Sequence, residues 1–327
     1  MDKVCIVGAG AIGGFIGARL ALRGAAEVSA LARGATLAAL GEHGWRLREG
    51  GALQQAPARA SADASALGVH DLVIVAVKGP ALAELAPRLA PLLGPQTIVL
   101  PAMNGVPWWF GQGVEALGDA PLASVDPGGR IAAALPFGQL LGGVVHLAAS
   151  TSEPGLVEHR MGQALIIGEP RGGITTRAEH VGALLRAGGL EVTVSDAIRR
   201  DIWFKLWGNL TINPVTALTG ATTDRVLDDP LVRDFCSRAM REAAIIGAGL
   251  GCAIDQSPED RHAVTRKLGA FRSSMLQDVD AGRPLELDAI AGVVHELGAR
   301  LGVPTPNIDA LYGVARLFGR VRGLYPD

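Results

Sequence analysis

Over the first two hundred residues, short apolar runs of strand length alternate with stretches of helical periodicity. The runs that we predict as strands are residues 3–7, 27–32, 71–77, 97–100 and 191–194. The third of these (DLVIVAV) is almost wholly apolar, which is typical of a parallel strand covered on both faces. Helical patterns follow at 12–22, 81–93 and 176–187. This alternation predicts an α/β domain with a doubly wound, mostly parallel sheet.

Two regions depart from the alternation. Residues 44–57 alternate around Gly50-Gly51, which predicts a hairpin insertion. Between residues 130 and 168 short strands and turns predominate, and we expect them to extend the same sheet. Pro87 and Pro91 should kink or shorten the helix predicted at 81–93.

From residue 196 onwards the chain shows helical periodicity and almost no strand-like runs. A length of 327 residues also favours two domains over one. We therefore predict a nucleotide-binding α/β domain at residues 1–196 and an all-helical substrate and catalytic domain at residues 197–327.

Composition narrows the class of protein. The formal net charge of −2 argues against a nucleic-acid partner, and the most apolar run, residues 72–77, is far shorter than the ~20 residues that span a bilayer. The three cysteines are too widely spaced for a disulfide framework, and the seven histidines show no metal-ligand spacing. The sequence predicts a soluble, cytoplasmic protein with no membrane partner and no metal site.

A glycine-rich turn follows the first predicted strand. Gly8, Gly10 and Gly13 form a G-x-G-x-x-G motif between that strand and a helix. The first glycine permits the tight turn, the second lets a pyrophosphate approach the backbone, and the third allows close packing of helix on strand. The backbone N–H groups at the start of the helix, including those of Ala11 and Ile12, would face the phosphates. The motif predicts a dinucleotide site in a Rossmann-type domain.

The end of the second strand indicates which dinucleotide binds. An NAD site usually has an acidic residue about 20 residues after the glycines. Here the segment is Ala30-Leu31-Ala32-Arg33-Gly34, with no carboxylate. Arg33 is suited to pair with a 2′-phosphate, so we predict NADP(H).

Two polar residues follow later strands. Lys78 comes after the run VIVAV, and Asn104 lies in Pro101-Ala102-Met103-Asn104-Gly105. Ligands of open α/β sheets bind beyond the carboxyl ends of the strands. We expect both residues near the nicotinamide, although an ordinary lysine at a strand end and an Asn-Gly turn would look the same.

Residues 203–214 form the most informative segment of the helical part. Apolar side chains cover nearly the whole circumference of this predicted helix. Lys205, Asn209 and Asn213 fall at i, i+4 and i+8 and make one narrow polar stripe. A buried lysine needs partners or a lowered pKa. The stripe is therefore a satisfied core network, a solvent-facing stripe or a binding site for a small oxygen-rich substrate.

Two further polar positions lie downstream. Ser274 belongs to Ser273-Ser274-Met275-Leu276-Gln277-Asp278 in a predicted helix, and Glu286 follows Pro284 at the predicted start of another helix. An acidic residue in a first turn also simply suits the helix dipole, and Ser274 is equally consistent with a surface hydroxyl.

These segments together resemble the ketopantoate reductase (2-dehydropantoate 2-reductase) family. The resemblance rests on the glycine motif, Lys78, Met103-Asn104-Gly105, the Lys205/Asn209/Asn213 spacing, and SSMLQD followed by Glu286, in order over nearly the whole chain. It implies a Rossmann domain followed by a helical domain. It also implies NADPH-dependent reduction of 2-dehydropantoate to (R)-pantoate, a step of pantothenate and coenzyme A biosynthesis.

The resemblance also implies roles for single residues. Lys205 would be the general acid that protonates the carbonyl oxygen, and Glu286 would hold the substrate hydroxyl. Asn209, Asn213 and Ser274 would bind substrate, Lys78 and Asn104 would line the junction of cofactor and substrate, and Arg33 would contact the 2′-phosphate.

One segment departs from the family's commonest pattern. Trp108, Trp109 and Phe110 follow the Asn-Gly pair in a chain with only 4% aromatic residues. They either pack beneath a loop or reshape the substrate pocket. Two alternatives therefore stand beside the main hypothesis: an NADP-dependent reductase of another 2-oxo acid, and a non-catalytic NADP(H) sensor. The sequence leaves the oligomeric state open, a homodimer included.

Overall fold

The computed structural model describes residues 1–326 and divides into two compact units. The first unit comprises Met1–Met103 and Gly129–Asp201, and the second comprises Asn104–Gly128 and Ile202–Asp327.

The strands lie in the first unit and are, in chain order, β1 (Lys3–Val7), β2 (Glu27–Leu31), β3 (Trp45–Glu49), β4 (Ala52–Ala56), β5 (Arg59–Ser61), β6 (His70–Val75), β7 (Leu93–Pro101), β8 (Gly142–Glu153), β9 (Leu156–Gly168) and β10 (Glu191–Ser195). Its helices are α1 (Ala11–Leu22), α2 (Gly34–His43), α3 (Gly79–Leu85), α4 (Arg130–Ala134) and α5 (Thr176–Ala187).

The first sheet has the strand order β5-β2-β1-β6-β7, and every neighbouring pair is parallel. Chain order reverses between β1 and β6, which is the switch point where open α/β sheets bind ligands. Val7 at the end of β1 pairs with Leu31 of β2 on one side and Val75 of β6 on the other. The predicted doubly wound sheet is confirmed, and its central strands end at one edge.

The second sheet corrects our expectation for residues 130–168. These residues form α4 and the long antiparallel pair β8 and β9, which join β10, β3 and β4 in a separate sheet. The predicted hairpin is confirmed as β3 and β4, and Leu47 of β3 pairs in parallel with Val157 of β9. Strand β9 pairs with β3, β8 and β10, so these strands form the second sheet and do not extend the first.

Helix α1 lies against both sheets through a face of small residues. A Cβ on Gly14 would stand 2.6 Å from Val157 Cγ2 in the second sheet, and one on Gly17 would stand 2.5 Å from Cη2 of the Trp45 ring. On the side of the first sheet, a Cβ on Gly13 would stand 2.9 Å from Ile6 Cγ2. The glycines of α1 therefore allow this helix to pack closely against both sheets, and the core of this unit forms around α1.

The prolines act as predicted on the helix expected at 81–93. Helix α3 ends at Leu85, and Ala86–Leu92 continues as a 3₁₀ helix that contains Pro87 and Pro91. Proline lacks the N–H that an α-helix would use there.

Helices make up the second unit over the part of the chain that the structure describes. They are α6 (Ile198–Thr219), α7 (Thr223–Asp228), α8 (Pro230–Gly249), α9 (Pro258–Arg266), α10 (Ser274–Asp280), α11 (Val293–Leu301) and α12 (Pro306–Val321), with a π-helical turn at Asp288–Gly292 before α11. The predicted all-helical C-terminal region is confirmed.

The compact units differ from the contiguous division predicted at residues 196 and 197. The chain passes from the first unit to the second within α6, between Asp201 and Ile202, and residues 104–128 belong to the second unit. Trp109 and Phe110 of this segment are 0% exposed, and the Phe110 ring stacks on Trp203 of α6 with centroids 6.0 Å apart. The backbone N–H groups of Ala123 and Ser124 donate to Glu296 of α11. Because these rings are buried with α6, residues 104–128 belong to the second unit although the first unit precedes and follows them in the sequence.

Across residues 1–326, no helix combines the length and apolar character that crossing a membrane requires. In the same range, no three His, Cys, Asp or Glu side chains are grouped so that they could hold a metal ion.

Candidate functional site

The turn between β1 and α1 shows why each glycine of the motif is needed. Gly8 has φ +91°, and a Cβ there would stand 2.6 Å from Val77 Cγ1. A Cβ on Gly13 would collide with the carbonyl oxygen of Gly8 and stand 2.9 Å from Ala76 Cβ. A Cβ on Gly10 would meet nothing within 4 Å. Packing therefore requires glycine at positions 8 and 13, whereas position 10 is open to a ligand.

The start of α1 fits an anionic group. Gly10 is the N-cap and offers no side-chain hydrogen bond, and the first turn contains no acidic residue. The first backbone N–H groups of a helix, here including those of Ala11 and Ile12, have no intrahelical acceptor. The helix dipole adds positive potential at the same place. A dinucleotide pyrophosphate suits this turn in charge, donors and space.

Arg33 and Lys78 lie at the ends of the strands that flank this turn. The N–H of Gly8 donates to the carbonyl oxygen of Leu31 at 3.1 Å, and that of Ala76 donates to Val7 at 2.8 Å. Arg33 is exposed and stands two residues after the end of β2, as the N-cap of α2. Lys78 follows β6 and is the N-cap of α3. The structure thus gathers the predicted cofactor residues of the first unit at one sheet edge.

In the second unit, α6 carries the polar stripe on an otherwise buried helix. Trp203, Leu206, Trp207 and Leu210 are all at most 2% exposed. Lys205 and Asn209 are partly buried. The ammonium Nζ of Lys205 donates to Asn104 Oδ1 at 3.0 Å. Two residues 101 positions apart in the sequence are therefore joined, as a shared site requires.

Burial lowers the pKa of Lys205 to about 8, because loss of water disfavours the charged ammonium. The Glu286 carboxylate acts in the opposite direction and raises the pKa of this lysine, while the Arg261 guanidinium lowers it further. A pKa in this range leaves the amine protonated at neutral pH yet ready to release the proton. That combination suits a general acid.

The loop that carries Asn104 is held by the turn that follows Glu286. Gly105 has φ +80°, and a Cβ there would collide with the carbonyl oxygen of Ala289 and stand 2.7 Å from its carbonyl carbon. The N–H of Val106 donates to the same oxygen at 2.8 Å. Ala289 lies in the π-helical turn, so one backbone contact sets the position of Asn104 relative to the segment after Glu286.

The setting of Glu286 differs from our expectation. It does not occupy the first turn of a helix opened by Pro284, because the chain remains non-helical until Leu287. The N–H of Leu285 donates to the carbonyl oxygen of Leu324 at 2.9 Å. The chain before the π-helical turn is thus fixed by the C-terminal residues and not by local helix geometry.

A tyrosine pair anchors the π-helical turn. The hydroxyls of Tyr312 and Tyr325 donate to Asp288 Oδ1 at 2.7 and 2.5 Å. Burial and the Asp288 carboxylate raise the pKa of Tyr312 far above its ordinary value. Sequence reasoning missed Asp288, Tyr312, Tyr325 and Ala289, since no motif or periodicity links them.

The remaining predicted residues occupy two settings. Asn213 is 5% exposed, and its amide nitrogen Nδ2 has no hydrogen-bond partner. Ser273 is the buried N-cap of α10 and hydrogen-bonds Thr216 of α6 at 2.6 Å. Ser274, the next residue, is exposed. The motif therefore attaches α10 to α6 through one serine and leaves the other available to a ligand.

A paired substitution tests the contact at Gly105. We expect Gly105→Ala to lower the free energy of unfolding by more than about 3 kcal/mol, because the new Cβ meets backbone that cannot yield. Gly118→Ala is the control, since Gly118 also has positive φ but nothing within 4 Å of its Cβ position. It should cost only about 1–2 kcal/mol of backbone strain. Urea unfolding measures both, and equal losses would contradict the contact.

Comparisons with known proteins identify the family of the chain. The family model described as ketopantoate reductase PanE/ApbA matches residues 4–172, and the model for the C-terminal part of the same family matches residues 197–318.

Individual relatives match over nearly their full length. A 2-dehydropantoate 2-reductase of Mesorhizobium japonicum is 41% identical over 99% of both chains. A solved structure from Ralstonia solanacearum MolK2 is 56% identical, with a TM-score of 0.95 over 99% of this chain and 100% of that one. A PanE/ApbA family ketopantoate reductase from Ralstonia eutropha JMP134 is 26% identical, with a TM-score of 0.83 over 98% and 99%. On the strength of two family models and a full-length relative, the chain belongs to the ketopantoate reductase family.

Proposed function

We propose that this protein is an NADPH-dependent reductase that converts 2-dehydropantoate to (R)-pantoate. The observation that carries the proposal is the Lys205 ammonium, partly buried, bound to Asn104 and lowered in pKa to about 8. Family membership and the 2-dehydropantoate 2-reductase of M. japonicum support the substrate.

Lys205 is the proton donor in this proposal. The Asn104 amide oxygen accepts one of its three N–H donors, which directs the remaining protons of Nζ to other acceptors. As the C2 carbonyl becomes an alcohol, Nζ gives a proton to the carbonyl oxygen and stabilises its developing negative charge. The lowered pKa reduces the cost of that transfer.

The other polar residues of the second unit bind the substrate. Glu286 holds a substrate hydroxyl and also keeps Lys205 protonated, because its carboxylate raises the pKa of the lysine. Asn209 and Asn213 continue along the same helix, and the unpartnered Nδ2 of Asn213 is a ready donor. Ser274 offers an exposed hydroxyl for the carboxylate.

The residues of the first unit hold the cofactor. The backbone at Gly8, Gly10, Ala11, Ile12 and Gly13 receives the pyrophosphate, because Gly10 is open and the helix N–H groups are free. Arg33, exposed beyond β2, takes the 2′-phosphate and selects NADP(H). Lys78, the N-cap of α3, contacts the nicotinamide end. The bound dinucleotide supplies the hydride.

The burial of the aromatic segment bears on the alternative substrates. Trp108, Trp109 and Phe110 are at most 3% exposed, and Phe110 stacks on Trp203. These rings serve the core of the second unit, so they give no reason to prefer another 2-oxo acid. A non-catalytic sensor does not require a lysine whose pKa is lowered to about 8.

Replacing Lys205 tests the chemistry. We expect Lys205→Ala to lower kcat by roughly 10²–10⁴-fold, because general acid catalysis contributes about that much. NADPH binding should persist. Lys267→Ala, which removes an exposed lysine at the end of α9, is the control. The assay follows NADPH absorbance with 2-dehydropantoate and a panel of 2-oxo acids. If the wild-type protein reduces none of these compounds, the proposed reaction is wrong.

The pH profile provides a second test. We expect kcat/KM to fall as the pH rises through about 8, because a neutral amine has no proton to give. An unperturbed lysine would place this fall near about 10.4. Glu286→Gln should move the fall to lower pH, since the carboxylate raises the pKa of Lys205. A profile flat up to about pH 10 would show that another group is the acid.

Arg33 tests the choice of cofactor. We expect Arg33→Ala to weaken NADPH binding by roughly 10-fold or more and to leave NADH binding nearly unchanged, because only NADPH offers a 2′-phosphate for a charge-assisted hydrogen bond. Arg88→Ala removes another exposed arginine of the same unit and is the control. An unaltered preference in a binding titration would place recognition of the phosphate elsewhere.

A further inference from the structure

An arginine that the Lys/Asn stripe does not include lies beside it. Arg261 of α9 places its guanidinium carbon 5.2 Å from the centroid of the Phe204 ring on α6. A Cβ on Gly208 would stand 2.7 Å from that carbon and collide with Nε and Nη2. The guanidinium thus rests on the backbone of α6, and it can do so only because residue 208 has no side chain.

The position of this cation relative to the stripe follows from helix geometry. Phe204 and Gly208 are one helical turn apart. Lys205 directly follows Phe204, and Asn209 directly follows Gly208. The guanidinium is close enough to Lys205 to lower the pKa of the lysine. The guanidinium therefore lies against the face of α6 that adjoins the Lys205/Asn209 stripe.

The guanidinium lacks an acceptor. Within the described chain, the guanidinium of Arg261 forms no hydrogen bond and no ion pair, and its Nε is buried without a partner. Burial lowers the pKa of this arginine. Stacking on Phe204 offsets part of the cost of removing the charge from water, but a buried N–H donor without an acceptor remains unfavourable. A bound anion would satisfy both the charge and the donor.

We propose that Arg261 binds the carboxylate of the 2-oxo acid substrate. Gly208, which has no side chain, leaves the space that the Arg261 guanidinium occupies. The proposal rests on the proposed function, since it assigns a second carboxylate-binding group to the same reaction. In a 2-oxo acid the carboxylate adjoins the carbonyl group that Lys205 protonates. A second cation next to the stripe is therefore suited to the carboxylate oxygens. The fork of the guanidinium suits a planar carboxylate, whereas a neutral ester or amide offers it no charge.

The first experiment measures charge selectivity. The ratio of kcat/KM for a 2-oxo acid to that for its methyl ester is determined in wild type, Arg261→Met and Arg261→Lys. We expect Arg261→Met to lower this ratio by roughly 10- to 100-fold, which is what the loss of one charge-assisted contact predicts. Arg261→Lys should fall between the two, because it keeps the charge and loses the fork.

Matched variants separate recognition from packing. Arg322→Met removes another arginine stacked on a phenylalanine, Phe318, and should leave the ratio unchanged. Gly208→Ala should lower the ratio by displacing the guanidinium, while Gly313→Ala on α12, where a Cβ meets nothing within 4 Å, should not. If Arg261→Met fails to fold, Gly208→Ala and Arg261→Lys decide the question by the same ratio.

A binding measurement distinguishes this proposal from the reaction itself. Oxalate titrated into wild type should bind, and its affinity should fall roughly 10-fold or more in Arg261→Met. Wild type that binds oxalate through Arg261 but reduces no 2-oxo acid would overturn the proposed reaction and leave the anion site standing. An active wild type whose acid-to-ester ratio is the same in Arg261→Met, Arg261→Lys and Gly208→Ala would overturn the role of Arg261.

Discussion

The partial burial of the Lys205 ammonium is the constraint on which the second unit depends. A charge removed from water must be compensated or it becomes neutral, and here compensation comes from the Asn104 amide and the Glu286 carboxylate. Both come from segments far from α6 in the sequence, and each needs its own support. Asn104 depends on Gly105 and Ala289, and the chain at Glu286 depends on Leu324. One side chain thus explains why a loop, a π-helical turn and the C-terminal residues are held so closely.

The first unit depends on close approach. Parallel strands end at one edge of the sheet, and Gly13, Gly14 and Gly17 let α1 approach the strands on both sides without a Cβ between them. Of the three glycines of the G-x-G-x-x-G motif, only Gly10 has no packing reason to be glycine. An open backbone position at the start of a helix is where a phosphate can come near, so packing and binding share one motif but use different members of it.

Local pattern predicted much of this fold. The apolar runs at β1, β2 and β6, the hairpin β3 and β4 and the helix α5 lie where periodicity and turn residues placed them. The second sheet was not predictable in the same way, because β9 pairs with β3, about 110 residues earlier. The first turn expected at Glu286 was wrong for a similar reason, since hydrogen bonds to Leu324 and Tyr325 outweigh a proline's preference for a helix start.

The sequence by itself determined the glycine turn, the stripe on α6 and the residue types that the chemistry needs, because these depend on neighbours within a few positions. Only the tertiary structure decided that Asn104 joins Lys205, that residues 104–128 pack with the helical unit and that Lys205 has a lowered pKa. It also decided that Arg261 rests against Gly208. Burial and electrostatic interactions depend on atoms brought together from distant positions in the sequence, and the spacing of residues along the chain does not predict these contacts.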